Sequence, residues 1–132
     1  KEPKDAIIVS ADTAVYLPSA EEIMGKPGDR EDAVRMLSSL SGRAHLVVTG
    51  VTIYNTKTGE EKSFAESTDV YFRELSTAEI EKYVDTARPF DKAGAYGIQE
   101  EAAVFVSKIH GDYFNVVGLP LCRLYTEIMS MV

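Results

Sequence analysis

The segment RPFDKAGAYGIQ, residues 88–99, places an aspartate, a lysine and a glutamine around two glycines and two alanines. Such small residues let a ligand or another stretch of backbone approach closely. The carboxylate of Asp91 can attract a divalent metal, and the ammonium of Lys92 can contact phosphate oxygens. Gln99 offers both a donor and an acceptor, which suits the edge of a pyrimidine base. A structural crossover with an Asp91–Lys92 salt bridge explains the same residues equally well.

Asp12 and Thr13 follow an apolar run, residues 6–11, whose β-branched side chains predict a buried strand. Open α/β sheets bind ligands beyond the carboxyl ends of their strands. An aspartate at that point can bind a metal or accept a proton from water. The more frequent explanation of such an aspartate is a turn that caps the next element.

Two cations have a defined backbone setting. Lys26 lies between Gly25 and Pro27, a constrained arrangement that can present a fixed ammonium to a phosphate. Most single lysines are simply solvated, so the motif alone is a weak signal. Arg43 follows Gly42 at the end of a predicted helix, where a cation suits the helix dipole, and a structural role is the favoured interpretation there.

Composition limits the function classes. A chain of 132 residues suits a single domain, and its net charge of −7 disfavours nucleic-acid polymers and membrane surfaces as partners. Cys122 is the only cysteine, which fits a reducing compartment, and no apolar run approaches the roughly 18 residues of a membrane helix, so we expect a cytoplasmic protein. His45 and His110 lie far apart without cysteine partners and predict no zinc site.

Several segments have the β-branched or alternating pattern of strands. They are residues 6–11; residues 14–17, which either extend that strand or form a second one; residues 45–55, interrupted by Gly50; residues 62–75, their hairpin partner; and residues 102–111. Residues 18–29, rich in proline and glycine, predict a loop or hairpin, and residues 112–120 a tight hairpin return.

Three segments predict helices. They are residues 29–42, with Asp29 as N-cap and Gly42 after the C-terminus; residues 76–86, opening with a capping box of Ser76 and Glu79; and residues 119–132, with Leu121, Leu124, Tyr125 and Ile128 on one side. Interspersed strands and helices predict an α/β layer fold with a mixed sheet.

The polar clusters occur in a recognisable order. The order is SADT, GKP, LSGRAH, TGV, FRELSTAEIEKYV, PFDKAGAYGIQ and HGDYFNVVGLPL, from about Val9 to Leu121. This pattern resembles the Maf family, the septum-formation-inhibitor-like nucleoside triphosphate pyrophosphatases. The resemblance implies a Maf/ITPase-like fold, an elongated mixed sheet flanked by helices in two lobes around a cleft, often in a homodimer. It also implies one Maf-like domain over residues 1–132.

The resemblance implies an activity and the residues that carry it. Family members split a nucleoside triphosphate into the monophosphate and pyrophosphate with Mg²⁺ or Mn²⁺. The implied catalytic residues are Asp12, Lys26, Asp91 and Lys92, with Asp12 as proton acceptor and with Asp12 and Asp91 as metal ligands; the implied substrate contacts are Thr13, Gln99 and Arg43. Thr13 and Gln99 resemble the branch that prefers dTTP and UTP.

The chain departs from the family in two respects. It has no Ser-x-Ser-Pro-Arg-Arg segment, which in the family lies upstream of the ADT motif and is thought to hold the triphosphate. We therefore expect a domain incomplete at its N-terminus, which is a fragment or covers its open sheet edge by self-association. The alternative function is a non-catalytic remnant that binds nucleotide or protein. Glu100 and Glu101 also replace a glycine-rich turn, and their charge disfavours an anionic ligand.

Overall fold

The computed structural model describes residues 5–132, which contain a five-stranded sheet and four α-helices. The strands are β1 (Ile7–Leu17), β2 (Glu22–Met24), β3 (Ala44–Asn55), β4 (Glu61–Phe72) and β5 (Val106–His110), in the spatial order β2-β1-β3-β4-β5. The helices are α1 (Arg30–Leu40), α2 (Thr77–Ala87), α3 (Tyr113–Val117) and α4 (Leu121–Met129). The α/β class expected from the sequence is confirmed.

The core lies on one face of the sheet. Every odd-numbered side chain of β3 from His45 to Asn55 is buried, whereas its even-numbered neighbours are partly or fully exposed, as the two-residue period of a strand requires. A larger hydrophobic cluster covers β3 at Val47 together with α1 and α2. A smaller cluster joins Val51 and Ile53 to α4 through Leu124.

Two of the three predicted helix starts are confirmed by their caps. The side chain of Asp29 accepts a hydrogen bond from the backbone N–H of Asp32, which begins α1. Ser76 and Glu79 form the expected capping box at the start of α2. Gly42 follows α1 with a φ of +68°, a left-handed conformation that favours glycine. Local side-chain chemistry therefore sets these boundaries, as the sequence indicated.

Residues 14–17 extend the strand of residues 6–11, which confirms one of the two alternatives left open by the sequence. Three other strand predictions were wrong. Asp12 lies in the middle of β1 rather than beyond a strand end. Gly50 does not interrupt β3, because it pairs on both sides, with Asp12 and Ala65. All four strand pairs within residues 5–132 are antiparallel, so strands of mixed direction are not found there.

The C-terminal third also differs from expectation. Residues 101–105 form a 3-10 helix before β5, and residues 113–117 form α3 in place of a hairpin return. Asp112 explains the latter, because its side chain accepts a hydrogen bond from the backbone N–H of Phe114 and so caps a helix. The closing helix α4 is confirmed, but Leu121 and Tyr125 are exposed and do not join its packed side. No helix within residues 5–132 has the length and hydropathy needed to span a bilayer.

Candidate functional site

A cavity of about 540 Å³ lies along β1. Five consecutive residues of the strand, residues 11–15, line it. Because successive side chains of a strand point to opposite faces, a cavity over one face would meet mainly alternate residues. The unbroken run indicates that the cavity reaches the edge of β1. Over residues 7–14 that edge has no partner strand in the described chain, since β2 pairs only with Val15–Leu17 and β3 takes the opposite side.

Segments far apart in the sequence complete the cavity. They are Gly25 and Lys26 after β2, Val47 of β3, residues 91–93 and 96–100 of the glycine-containing loop, and residues 116–118 at the end of α3. The fold therefore gathers the motifs that the sequence separates by up to about a hundred positions.

Six of the seven predicted site residues line this one cavity. They are Asp12, Thr13, Lys26, Asp91, Lys92 and Gln99. The seventh, Arg43, does not line it and lies between α1 and β3, where its backbone C=O accepts from the N–H of Phe72 at 3.0 Å. Its role in substrate binding stays a prediction, whereas the structural role at the helix end matches its position.

The loop of residues 88–99 is fixed to the segment that carries Lys26. The backbone N–H of Gly94 donates to the C=O of Gly25 at 3.1 Å. Gly94 and Ala95 both adopt a left-handed backbone, with φ values of +69° and +66°. This turn folds the loop back on itself, so that Lys26 and Lys92 are presented to the same cavity from two connected backbones.

The charges that line the cavity sum to a net negative value. Asp12, Asp91 and Glu100 contribute three carboxylates, and Lys26 and Lys92 contribute two ammonium groups. The Nζ of Lys92 lies 3.6 Å from Asp91 Oδ2 and 3.3 Å from Glu100 Oε1. Burial alone would lower the pKa of Lys92, but these two carboxylates outweigh it and raise that pKa. The Asp91–Lys92 salt bridge considered from the sequence is thus present inside the cavity.

The hydroxyl of Thr13 is held in place. Its Oγ1 lies 2.9 Å from Thr49 Oγ1 and 3.5 Å from the backbone C=O of Gly118. Thr49 is fully buried and lies directly opposite Thr13 on the neighbouring strand β3, so this contact restricts the rotamer of Thr13. Thr13 therefore presents a defined polar surface to the cavity, whereas the side chain of Gln99 is exposed at its rim.

The donor set suits a metal that arrives with its ligand. Within residues 5–132, no three His, Cys, Asp or Glu side chains form a cluster that could hold an ion by themselves. Asp12 and Asp91, the predicted metal ligands, both line the cavity. Proteins commonly bind Mg²⁺ through one or two carboxylates together with substrate phosphates and water. Two carboxylates beside two ammonium groups match that pattern.

Comparison with known proteins identifies the family of this chain. The family model described as Maf-like protein matches residues 1–131. This chain belongs to the Maf-like family. It is 53% identical over 125 residues to the dTTP/UTP pyrophosphatase of Carboxydothermus hydrogenoformans, covering 95% of this chain and 66% of that protein. It is 55% identical over 122 residues to the dTTP/UTP pyrophosphatase of Thermosipho africanus, covering 92% and 62% of the two chains.

A third similar protein is the dTTP/UTP pyrophosphatase of Agathobacter rectalis. This Maf-like chain is 48% identical to it over an aligned length of 132 residues, and the alignment covers 98% of this chain and 63% of that protein. The chain thus spans slightly less than two thirds of the length of these three relatives.

Sequence reasoning missed a buried histidine behind the cavity of this Maf-like chain. His45 is only 1% exposed, and its Nε2 lies 2.6 Å from the hydroxyl of Tyr96, which lines the cavity. Burial lowers the pKa of His45 to about 4, so the ring is neutral at pH 7. The available signal was the position of His45 on the buried, odd-numbered face of β3. Its contact with Tyr96, 51 residues away, has no local signal.

Proposed function

We propose that this chain carries the active site of a nucleoside triphosphate pyrophosphatase that acts on dTTP and UTP. The observation that carries the proposal is the convergence of Asp12, Lys26, Asp91 and Lys92, from three separate segments, on one cavity. Relatives that match most of the chain are named dTTP/UTP pyrophosphatases. The products would be the nucleoside monophosphate and pyrophosphate.

The carboxylate of Asp12 would accept a proton from the attacking water. A bond then forms between the water oxygen and the α-phosphorus, and the bond from that phosphorus to the bridging oxygen breaks as pyrophosphate leaves. Lys26 and Lys92 would stabilise the charge on the phosphate oxygens, which is the main task of a protein in phosphoryl transfer. Asp91 would orient Lys92, whose ammonium it already contacts.

Thr13 and Gln99 would select the base. Thymine and uracil present the same alternation of acceptor, donor and acceptor along one edge, so one amide and one hydroxyl can recognise both bases. Thr49 already fixes the hydroxyl of Thr13. A site that selects by hydrogen bonds discriminates strongly against bases that leave its polar groups unpaired.

A divalent cation, Mg²⁺ or Mn²⁺, would be held by Asp12 and Asp91 with the substrate. When bound, such an ion shields phosphate charge and lowers the pKa of a coordinated water. The cavity needs such a cation to bind a triphosphate, because three carboxylates and only two ammonium groups of the described residues line it. Without a cation, this cavity would repel a triphosphate.

The deciding experiment is release of pyrophosphate from dTTP in the presence of Mg²⁺ or Mn²⁺. We expect turnover by the wild-type chain and a loss of at least about a hundredfold in Asp12→Asn, because a general base contributes on that order. Asp69→Asn is the matched control, since Asp69 is partly exposed on β4 and does not line the cavity. Retained turnover in Asp12→Asn with an unchanged melting temperature contradicts the role of Asp12.

One observation favours the alternative function, a non-catalytic module that binds nucleotide or protein. No arginine of residues 5–132 lines the cavity, and Lys26 and Lys92 are its only described cations. A module that binds nucleotide would show no pyrophosphate release but a higher melting temperature with dTTP and Mg²⁺, because ligands stabilise the state they bind. Turnover by a version lengthened upstream, but not by the 132 residues, would indicate an enzyme that needs further residues.

We also propose self-association into a homodimer in the cytoplasm. Ile8 and Val9, which are 50% and 38% exposed, lie on the part of β1 that has no second partner strand within residues 5–132. Exposed strand edges with apolar side chains favour pairing with another chain. Light scattering of the purified chain tests this proposal, and a monomer at micromolar concentration contradicts it.

A further inference from the structure

Glu100 contacts a proposed catalytic group without having a role in the proposed reaction. Its Oε1 lies 3.3 Å from the Nζ of Lys92, nearer than the 3.6 Å to Asp91 Oδ2. The backbone N–H of Glu100 donates to the C=O of Gly97 at 3.1 Å, which turns the chain so that Glu100 lines the same cavity. The ammonium is therefore contacted by two carboxylates before any phosphate arrives.

Gly97 shows how closely this pair is packed. A Cβ built at Gly97 would lie 2.6 Å from Glu100 Oε1 and 3.1 Å from Lys92 Cε. Any other residue at this position would have to displace one or both side chains. The absence of a side chain at Gly97 thus allows Glu100 and Lys92 to meet across the turn.

We propose that Glu100 sets the affinity of the cavity for phosphate oxyanions by competing with them for the ammonium of Lys92. The identity of the physiological ligand rests on the proposed function, but the competition applies to any phosphate group that reaches Lys92. The ion pair weakens binding of the anion, and it increases the dependence of binding on a divalent cation that offsets the carboxylates.

Exposure limits the size of the effect. The side chain of Lys92 is 35% exposed and that of Glu100 is 54% exposed. Exposed ion pairs contribute at most about 1 kcal/mol, which corresponds to a change of roughly fivefold in affinity. A phosphate chain with several charges can therefore displace Glu100, so the pair adjusts affinity and does not block the site.

The test compares Glu100→Gln with Glu101→Gln. Both variants remove one negative charge, and Glu101 is exposed but does not line the cavity. Calorimetric titration with inorganic tripolyphosphate and Mg²⁺ should show roughly two- to fivefold tighter binding in Glu100→Gln, and the gain should shrink in high salt. Glu101→Gln should increase the affinity for tripolyphosphate clearly less than Glu100→Gln does. An equal increase in both variants would show that only the net charge of the protein matters, and this result would overturn the proposal.

A second measurement does not depend on ligand binding. Acylation of lysines by an N-hydroxysuccinimide ester, mapped by peptide mass spectrometry, reports how freely the Lys92 amine reacts. Lys92 should react faster in Glu100→Gln, whereas Lys26 in the same sample and Lys92 in Glu101→Gln should not change. Unchanged labelling of Lys92 overturns the proposal. Failure of wild type and both variants to bind tripolyphosphate also overturns the proposal, because the cavity then has no affinity for phosphate that Glu100 could set. Release of pyrophosphate from dTTP by the same protein would leave the proposed function standing in that case.

Discussion

Gly94 lies directly against Val15, so the glycine-containing loop approaches the strand that lines the cavity. A Cβ at Gly94 would lie 2.8 Å from Val15 Cγ2 and 3.2 Å from Val15 Cβ. Val15 is 2% exposed and belongs to the larger hydrophobic cluster, so it has little room to move. This contact, together with the left-handed φ of Gly94, explains why the loop needs glycine at this position.

Gly94→Ala should therefore destabilise the fold and the site together. The left-handed backbone costs roughly 1–2 kcal/mol for alanine, and relief of the overlap with Val15 roughly 1–3 kcal/mol more. Urea unfolding should show a total loss of about 2–5 kcal/mol. Gly50→Ala is the control, because a Cβ there meets nothing within 4 Å and the backbone is not left-handed. A loss in Gly50→Ala as large as in Gly94→Ala would contradict this explanation.

The contrast between these glycines shows what the sequence could reveal. The small residues around Gly94 predicted that a ligand or another stretch of backbone approaches this loop closely. They did not predict Val15 as the neighbour, since that contact depends on how β1 packs 79 positions earlier in the chain. Gly50, read as an interruption, is accommodated in β3 because it pairs with both neighbouring strands.

Local side-chain chemistry predicted the starts of α1 and α2 correctly, whereas the pairing between strands distant in the sequence was not predicted. Asp29 and Ser76 cap their helices through bonds to residues three positions away, so the signal lies within one turn. Asp12 was assigned to a strand end because a short apolar run preceded it. Its pairing with Gly50 within a continuous ladder continues the strand, and only the tertiary structure shows this. Six of the seven predicted site residues nevertheless line one cavity, because the error in the element that carries Asp12 does not change the motif itself.

His45 should make stability depend on pH in the mildly acidic range. The pKa of His45 is about 4 in the folded state and about 6.5 when unfolded, so between these values the unfolded chain binds more protons. Stability is therefore lost as pH falls from 6.5 towards 4. Urea unfolding at pH 7 and pH 4.5 should show a loss of about 2 kcal/mol from this group. In His45→Gln the acid-induced loss should be smaller by that amount, and equal losses in both proteins would contradict the assignment.

Gln99 should govern binding of the base but not of the phosphates. In Gln99→Leu we expect the KM for dTTP to rise roughly tenfold or more with a smaller change in kcat, because the lost hydrogen bonds are made in both ground and transition states. Where turnover is absent, the Kd for dTTP should rise by the same factor. Inorganic tripolyphosphate is the control ligand, since it has no base, and its affinity should not change. Equal weakening of both ligands would show that the substitution disturbs the cavity itself.

The substitution Asn115→Asp should destabilise the fold more at high pH than at low pH. Asn115 is fully buried, and its Nδ2 donates to the C=O of Val47 at 3.0 Å and to Thr68 Oγ1 at 2.9 Å, which ties α3 to the sheet beneath the cavity. Asn115→Asp replaces this donor by an acceptor, so the folded state disfavours the ionised carboxylate that the unfolded chain forms above about pH 4. Its deficit relative to wild type should be roughly 2 kcal/mol larger at pH 7 than at pH 5. Asn115→Ala loses the same bonds without a titrating group, so a pH dependence shared by both variants would contradict this argument.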